Sequence, residues 1–134
     1  MKKQTKPKKK YLDDLWRKIV YLRAGYKSEL SGALKADGII LHAHHVYGKS
    51  SLALRYDLRG GICLTQYEHL WGVHSHDPSQ AKEYLEQIEK YIKKREGENI
   101  YESFKICKYI SKPNIYIIEL TLKETLKQLE KKAG

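Results

Sequence analysis

The chain has 134 residues, a length typical of one domain with a real hydrophobic core, and we expect no second catalytic domain within it. Its apolar runs are far shorter than the ~20 residues of a membrane span, and no apolar stretch follows the basic start to form a signal peptide. We therefore expect a soluble, cytoplasmic protein without membrane contact. The formal net charge of +10 favours a polyanionic partner such as nucleic acid.

The excess positive charge is concentrated at the amino terminus. The segment MKKQTKPKKK contains six lysines and no acid, and without them a net charge of +4 remains on residues 11–134. We expect residues 1–10 to be a disordered tail that binds a polyanion in a salt-dependent way, although a tail that only aids solubility has the same composition. Residues 11–134 are expected to form a single domain.

The first predicted elements are a helix and a strand. Apolar residues recur with helical spacing over residues 11–24, and Gly25 ends the pattern. An Asp-Gly turn at Lys35–Gly38 then precedes the apolar run at residues 39–41, which predicts a short buried strand.

All six histidines lie between residues 42 and 76, directly after this run and around a second apolar segment. Because side chains alternate along a strand, His42 and His44 should lie on one face and His45 on the other. His69 lies in a short helical pattern further along the chain, after a loop that contains several glycines. Histidines clustered in this way usually do chemistry together.

Residues 77–134 predict a helical annex without catalytic motifs. We expect it to brace the histidine-bearing core, with a dimerisation surface as the less favoured alternative. The predicted elements are a helix from Asp77-Pro78 to Gly97, a helix opened by Asn99 and Glu102 and stopped before Pro113, a short strand or extended crossover over residues 115–120, and a last helix capped by Thr121 and Glu124.

The two cysteines, Cys63 and Cys107, are far apart in the sequence and belong to no Cys-x-x-Cys pair. This pattern indicates a reducing compartment and free thiols rather than a disulfide.

The segments LHAHHVYGK, LRYDLRGGICL and HLWGVH, in this order and spacing, resemble the HNH (His-Me finger, ββα-metal) nucleases, and most closely the NinG-like phage recombination endonucleases. The resemblance covers roughly residues 23–76. It implies an α+β fold with a small ββα-metal core at about residues 36–76, preceded by an N-terminal helix and followed by the helical annex. It also implies a cytoplasmic location in a bacterial or phage-infected cell.

The resemblance further implies a role for each candidate residue. His44 would be a metal ligand, His45 the general base, and His69, together with His74, the ligands from the helix side. The cofactor would be one divalent ion, with Mg, Mn, Ni and Zn all acceptable. Imidazole ligands suit Zn, Ni or Mn better than Mg. The substrate would be DNA, with branched or junction DNA among the candidates.

Three cations in the loop between the predicted base and the helix are candidate DNA-binding residues, because a guanidinium grips phosphate bidentately. They are Lys49, Arg55 and Arg59.

The sequence departs from the family at two places. The positions of the two Cys-x-x-Cys zinc knuckles are Ser28–Ser31 and Thr65–Glu68, so we expect no structural zinc. Tyr67 and Trp71 are interpreted as replacing the packing lost with that zinc. The central Asn of the motif is replaced by Gly60, which would leave the loop before the helix less constrained.

Two functions of different classes are therefore open at this point. The first is a metal-dependent DNA endonuclease, which the adjacent pair His44-His45 favours. The second is a non-catalytic DNA-binding or assembly protein that keeps the fold, which the missing Asn favours. The oligomeric state, the preferred DNA structure and the choice between DNA and RNA are not indicated by the sequence.

Overall fold

The computed structural model describes residues 5–49, 51–109 and 113–133. The chain is a mixed α+β fold, as predicted. Its regular elements are α1 (Lys9–Arg23), β1 (Leu41–His45), α2 (Leu52–Arg55), β2 (Gly61–Thr65), a π-helix (Glu68–Val73), α3 (Pro78–Glu96), α4 (Ile100–Lys108) and α5 (Ile115–Ala133), with single 3-10 turns at Lys35–Asp37 and Leu58–Gly60.

The two strands form one antiparallel pair in which His44 lies opposite Ile62 and His45 lies opposite Gly61. All five residues of β2 are buried, whereas β1 is partly exposed along its whole length. The predicted strand therefore exists, but it begins at Leu41 rather than at residue 39, and Ile40 is exposed. The order of β1, a loop that contains α2, β2 and the π-helix is compatible with the predicted ββα core.

The core lies on both sides of β2. Cys63 packs with α1 and α5, in a cluster that includes Trp16 and Leu122. The neighbouring residues Ile62 and Leu64 pack on the opposite side with α3 and α4. Burial raises the pKa of the Cys63 thiol to about 12. Cys63 and Cys107 are both free, as predicted.

The regular elements of the C-terminal half are all helices within its described part, and the prediction for residues 115–120 was wrong. This segment is the first part of α5, which begins after Asn114, whose Oδ1 accepts a hydrogen bond from the Tyr116 amide at 2.8 Å. Ile115 and Ile118 pack against the α1 cluster together with Leu122. Their helical spacing outweighs the strand preference of this β-branched run.

Two other helix starts show which capping signals the fold uses. Asp77 caps α3 by accepting a hydrogen bond from the Ser79 amide at 2.9 Å, as predicted. Asn99 makes no side-chain capping bond at the start of α4, so the predicted capping box with Glu102 is wrong. Thr121 is likewise no cap, because it lies inside α5.

The N-terminal arm lies partly outside the described residues, which begin at residue 5. The predicted C-terminal boundary of the disordered tail, residue 10, is wrong, because Lys9 and Lys10 already belong to α1. Within the described part of the chain, no helix is both long and apolar enough to span a membrane.

The segments Ser28–Ser31 and Thr65–Glu68, which the resemblance aligns with zinc knuckles, are joined by hydrogen bonds. The Ser28 hydroxyl donates to Glu68 Oε1 at 2.6 Å and accepts from the Ser31 amide at 3.1 Å. The Thr65 amide also donates to Glu68 Oε1, at 2.7 Å, while the Thr65 hydroxyl accepts from the Glu68 amide at 3.0 Å. Thr65 and Glu68 thus form a reciprocal capping box. A polar network therefore joins the two segments at which the resemblance would place zinc ligands.

This network should support stability without metal. Replacing Glu68 with Ala leaves the buried Ser28 hydroxyl and Thr65 amide without their acceptor, so Glu68→Ala should lower the free energy of unfolding by roughly 2–3 kcal/mol. Urea denaturation measures this change, with Glu83→Ala on the exposed face of α3 as the control. Protein prepared without added metal should keep its thermal midpoint in EDTA. A large fall in that midpoint would contradict the prediction that the protein binds no structural zinc.

Candidate functional site

Four of the six histidines line one cavity of about 440 Å³. It opens where the end of β1 meets the π-helix and α1. The cavity is lined by Asp13, Trp16, Arg17, Ala43, His44, His45, Gly48, Lys49, Arg55, His69 and His74. The fold therefore brings together every histidine to which the resemblance assigns a role.

His44, His69 and His74 each offer one ring nitrogen, and these three atoms lie within 4.8 Å of one another. His44 lies in β1 and His69 lies in the π-helix, while His74 is the residue that directly follows the π-helix. The wider π-helical turn joins these last two, and the ring centroids of His69 and His74 are only 4.8 Å apart. Three imidazoles at this separation are a suitable ligand set for a divalent transition metal.

Two of these rings are neutral at physiological pH. Burial, together with the neighbouring His69, His74 and His45, lowers the pKa of His44 to about 3. Burial and the nearby His74 and His42 lower the pKa of His69 to about 4. Because an imidazole must lose its proton to bind a metal, these two positions are ready for a cation at pH 7.

His42 lies on the same face of β1 as His44, as predicted, and it contacts His69 rather than the cavity. The two Nδ1 atoms of His42 and His69 are 2.9 Å apart and share one proton in a hydrogen bond. If His69 donates this proton, its Nε2 is left unprotonated and can bind a metal. If His42 donates it, the neutral His69 carries its own proton on Nε2 and cannot. Metal binding through His69 Nε2 thus requires His42 as the acceptor.

His45 points to the other side of the strand, as predicted, where two contacts fix its ring. Its Nε2 lies 3.1 Å from the Arg55 carbonyl oxygen. A carbonyl only accepts, so Nε2 donates and the neutral ring keeps Nδ1 free as a proton acceptor. The ring also stacks on Trp16, with centroids 3.9 Å apart and planes 2° from parallel. Burial lowers the pKa of His45, so the ring is neutral at pH 7.

The three predicted DNA-binding cations have different surroundings. Lys49 is exposed and lines the cavity. Arg55 also lines it, but its guanidinium makes a bidentate pair with Asp13, at 2.6 and 2.9 Å. Arg59 makes a similar bidentate pair with Asp57 and does not line the cavity. A phosphate-binding role for all three stays a prediction. Lys49 has its charge free of ion pairs within the described residues.

The Asp13–Arg55 pair is a contact that the sequence did not suggest. Burial raises the pKa of Asp13, but the hydrogen bonds from Arg55 outweigh it and the net shift is downward. The pair ties α1 to α2, and the same arginine supplies the carbonyl that holds His45. Asp13, Trp16 and Arg17 all line the cavity from α1, whose apolar stripe predicted only a packing role.

Arginines brace the loop at Gly60, where the resemblance leads to the expectation of an Asn. Arg23 donates to the carbonyls of Leu58 and Gly61 at 2.7 and 2.8 Å. Arg95 donates to the carbonyls of Arg59 and Gly61 at 3.0 and 2.7 Å. The Gly60 carbonyl in turn accepts from the Val46 amide at 2.8 Å. The loop is thus fixed to both α1 and α3, although it lacks an Asn side chain.

The remaining residues of the histidine region lie outside the candidate site. His76 is exposed and does not line the cavity. Tyr67 and Trp71 are 61% and 60% exposed. The interpretation that they replace the packing of a zinc site is therefore wrong. The segments Ser28–Ser31 and Thr65–Glu68 are held together by the hydrogen bonds of Ser28, Thr65 and Glu68.

No protein-family model matches the sequence, and comparisons with curated proteins and with solved structures likewise give no match. What the cavity does must therefore be inferred from its own residues.

Metal binding is the first testable consequence of this geometry. Calorimetric titration with Ni or Mn should show one site in the wild type and none in His44→Ala, which lacks one of the three ligands. Replacing His42 with Phe should weaken binding by roughly 10-fold or more, as is usual when the partner of a ligand histidine is lost. His42→Gln, which retains an acceptor, should be affected less.

The matched control is His76→Ala, because this histidine is exposed and outside the cavity. Equal metal affinity in the wild type and His44→Ala would contradict the assigned ligand set.

The lowered histidine pKa values also predict how stability depends on pH. In the unfolded chain both rings titrate near 6.5, whereas in the folded protein the pKa is about 3 for His44 and about 4 for His69. Between these values the unfolded state binds more protons, so stability is full above about pH 6.5 and falls as the pH is lowered toward 4. Urea denaturation in EDTA at several pH values measures this fall, which should be smaller in His44→Phe. If the free energy of unfolding fell equally with pH in the wild type and in His44→Phe, the lowered pKa of His44 would be contradicted.

Proposed function

We propose that this protein is a metal-dependent endonuclease that hydrolyses DNA phosphodiester bonds, with His45 as the general base. One divalent ion would be held by His44, His69 and His74. The observation that carries the proposal is a single cavity in which three mutually close imidazole nitrogens lie beside a fourth, separately oriented histidine. The order of β1, β2 and the π-helix supports the ββα-metal core that the resemblance implies.

The residues present fit a catalytic metal better than a structural one. Two nitrogens bound to one ion at roughly 2.1 Å are at most about 4.2 Å apart, so ligand atoms within 4.8 Å need only small side-chain movements to close on it. Three protein ligands leave a coordination position open, as catalytic sites do. When bound, the ion would polarise a non-bridging phosphate oxygen and stabilise negative charge on the leaving 3′ oxygen.

The role of His45 follows from its hydrogen bond. The Arg55 carbonyl keeps the proton on Nε2, so Nδ1 accepts a proton from the attacking water. The lowered pKa keeps the ring neutral at pH 7, and the stacked Trp16 ring holds its plane. A binding protein has no need for a histidine held in this way, which favours the endonuclease over the non-catalytic alternative.

The net charge of +10 supports a polyanionic substrate, and Lys49 supplies a cation at the cavity itself. Plasmid and branched DNA, each assayed with Mg, Mn, Ni and Zn, are the substrates to compare. An RNA of the same sequence distinguishes a DNA endonuclease from an RNA-directed enzyme, because the chemistry at phosphorus is shared.

The decisive variant separates chemistry from binding. His45→Ala should retain metal and DNA affinity but lose cleavage by roughly 10²-fold or more, the usual contribution of a general base. Initial rates at saturating DNA measure the chemistry, and calorimetry measures the metal. Addition of EDTA should abolish wild-type cleavage.

His76→Ala is again the control, and it should cleave at the wild-type rate. DNA binding without cleavage by the wild type under every metal would reject the endonuclease in favour of the non-catalytic alternative. Undiminished cleavage by His45→Ala would show that another group is the base.

A further inference from the structure

A second, larger cavity of about 650 Å³ adjoins the histidine site. The two cavities share Lys49 and Arg55 as lining residues, so they lie next to each other. The second cavity, here called the basic groove, is formed by the segment before α1, the start of α1, the loop after β1 and the start of α5. Its cationic lining consists of Lys6, Lys9, Lys49 and Arg55.

The charge of the basic groove is of one sign. None of its described lining residues is acidic. Arg55 is paired with Asp13, but Lys6, Lys9 and Lys49 form no ion pair with a carboxylate in the described part of the chain. Apolar side chains, among them Leu52 and Ile115, lie between these cations. Unpaired ammonium groups beside apolar surface suit a ligand with alternating phosphates and apolar faces, as in a polynucleotide strand.

The position of the groove sets the direction of such a ligand. A strand with one phosphate at the histidines would leave that cavity past Lys49, because this residue borders both cavities. The next phosphates along it would then lie near Lys6 and Lys9. Three compact, hydrated ammonium groups attract phosphates without reading bases, so this contact would be independent of sequence.

We propose that the basic groove binds the nucleic-acid backbone on one side of the scissile phosphate, which makes the enzyme dependent on flanking nucleotides. This proposal rests on the proposed function, since it extends the same strand beyond the histidine cavity. The substrate class is a polynucleotide rather than a small phosphodiester. Lys6 and Lys9 are binding residues in this arrangement and take no part in the chemical step.

The first experiment measures binding without catalysis. Fluorescence anisotropy of a labelled dodecanucleotide in EDTA, over a range of salt concentrations, compares the wild type with Lys6→Gln/Lys9→Gln. Losing two phosphate contacts should weaken binding roughly 10-fold and reduce the slope of log Kd against log salt by about 1.5. The charge-matched control is Lys90→Gln/Lys94→Gln on α3, where Lys90 borders a cavity lined also by Glu86, Glu89 and Glu98. Lys6→Arg/Lys9→Arg should restore binding.

The second experiment measures length dependence during cleavage. The ratio of kcat/KM for the dodecanucleotide to kcat/KM for a dinucleotide should fall roughly 10-fold in Lys6→Gln/Lys9→Gln, through KM rather than kcat. If the wild type cleaves neither substrate with any metal, the proposed function is rejected. The anisotropy experiment then still tests whether the basic groove binds an oligonucleotide, because it does not depend on cleavage.

Two outcomes would overturn the proposal that the basic groove binds the nucleic-acid backbone. In the first, both double variants lose affinity equally, which would mean that only overall charge attracts the oligonucleotide. In the second, vesicles containing phosphatidylserine bind in a way that depends on Lys6 and Lys9 while the oligonucleotide does not, which would assign the groove to a lipid surface.

Discussion

The fold depends on the burial of β2 between two hydrophobic clusters. Its five residues are all buried, with Cys63 facing α1 and α5 and with Ile62 and Leu64 facing α3 and α4. One edge of the strand pairs with β1, and the other is satisfied by Glu29, whose amide donates to the Cys63 carbonyl and whose carboxylate accepts from the Cys63 amide. Every helix of the annex is therefore anchored, directly or through a neighbour, to the strand that positions β1 and its histidines.

The geometry of the candidate site is set largely by main-chain carbonyls. One carbonyl fixes the ring of His45, and the Gly61 carbonyl accepts from both Arg23 and Arg95. Because Gly61 lies opposite His45 in the strand pair, the two arginines hold the backbone next to His45, the proposed base. Burial lowers the pKa of Arg23, yet its guanidinium remains the donor to two carbonyls. Arginines on α1 and α3 therefore brace the loop at Gly60, the position at which the resemblance would place an Asn side chain.

The cations around the site divide into two groups with different roles. Arg55 and Arg59 are held by carboxylates in bidentate pairs, which orient their guanidinium groups and offset their charge. The lysines near the cavity are unpaired within the described residues, so they provide the positive potential that a phosphate backbone would meet. Under the proposed function, the paired arginines would position the groups of the site, and the unpaired lysines would attract the substrate.

The sequence by itself determined the features that depend on local spacing. These include the helix over Pro78–Glu96 with its Asp77 cap, the opposite directions of His44 and His45, and the absence of thiolate ligands at Ser28–Ser31 and Thr65–Glu68. The spacing of Thr65 and Glu68, which is typical of a capping box, is also present in the sequence. The resemblance related these two residues only to a zinc knuckle without its cysteines. The helical stripe of Ile115, Ile118 and Leu122 was also present, although the β-branched composition of the segment concealed it.

Only the tertiary structure decided which distant groups meet. Asp13 pairs with Arg55 across 42 positions, the Ser28 hydroxyl reaches Glu68 across 40, and Trp16 stacks on His45 from another element. Such pairs leave no periodic trace, because their partners are chosen by how α1 and β2 pack and not by neighbours along the chain. Local periodicity fixes the face of a strand or helix on which a side chain lies, whereas burial of apolar surface fixes what that face meets.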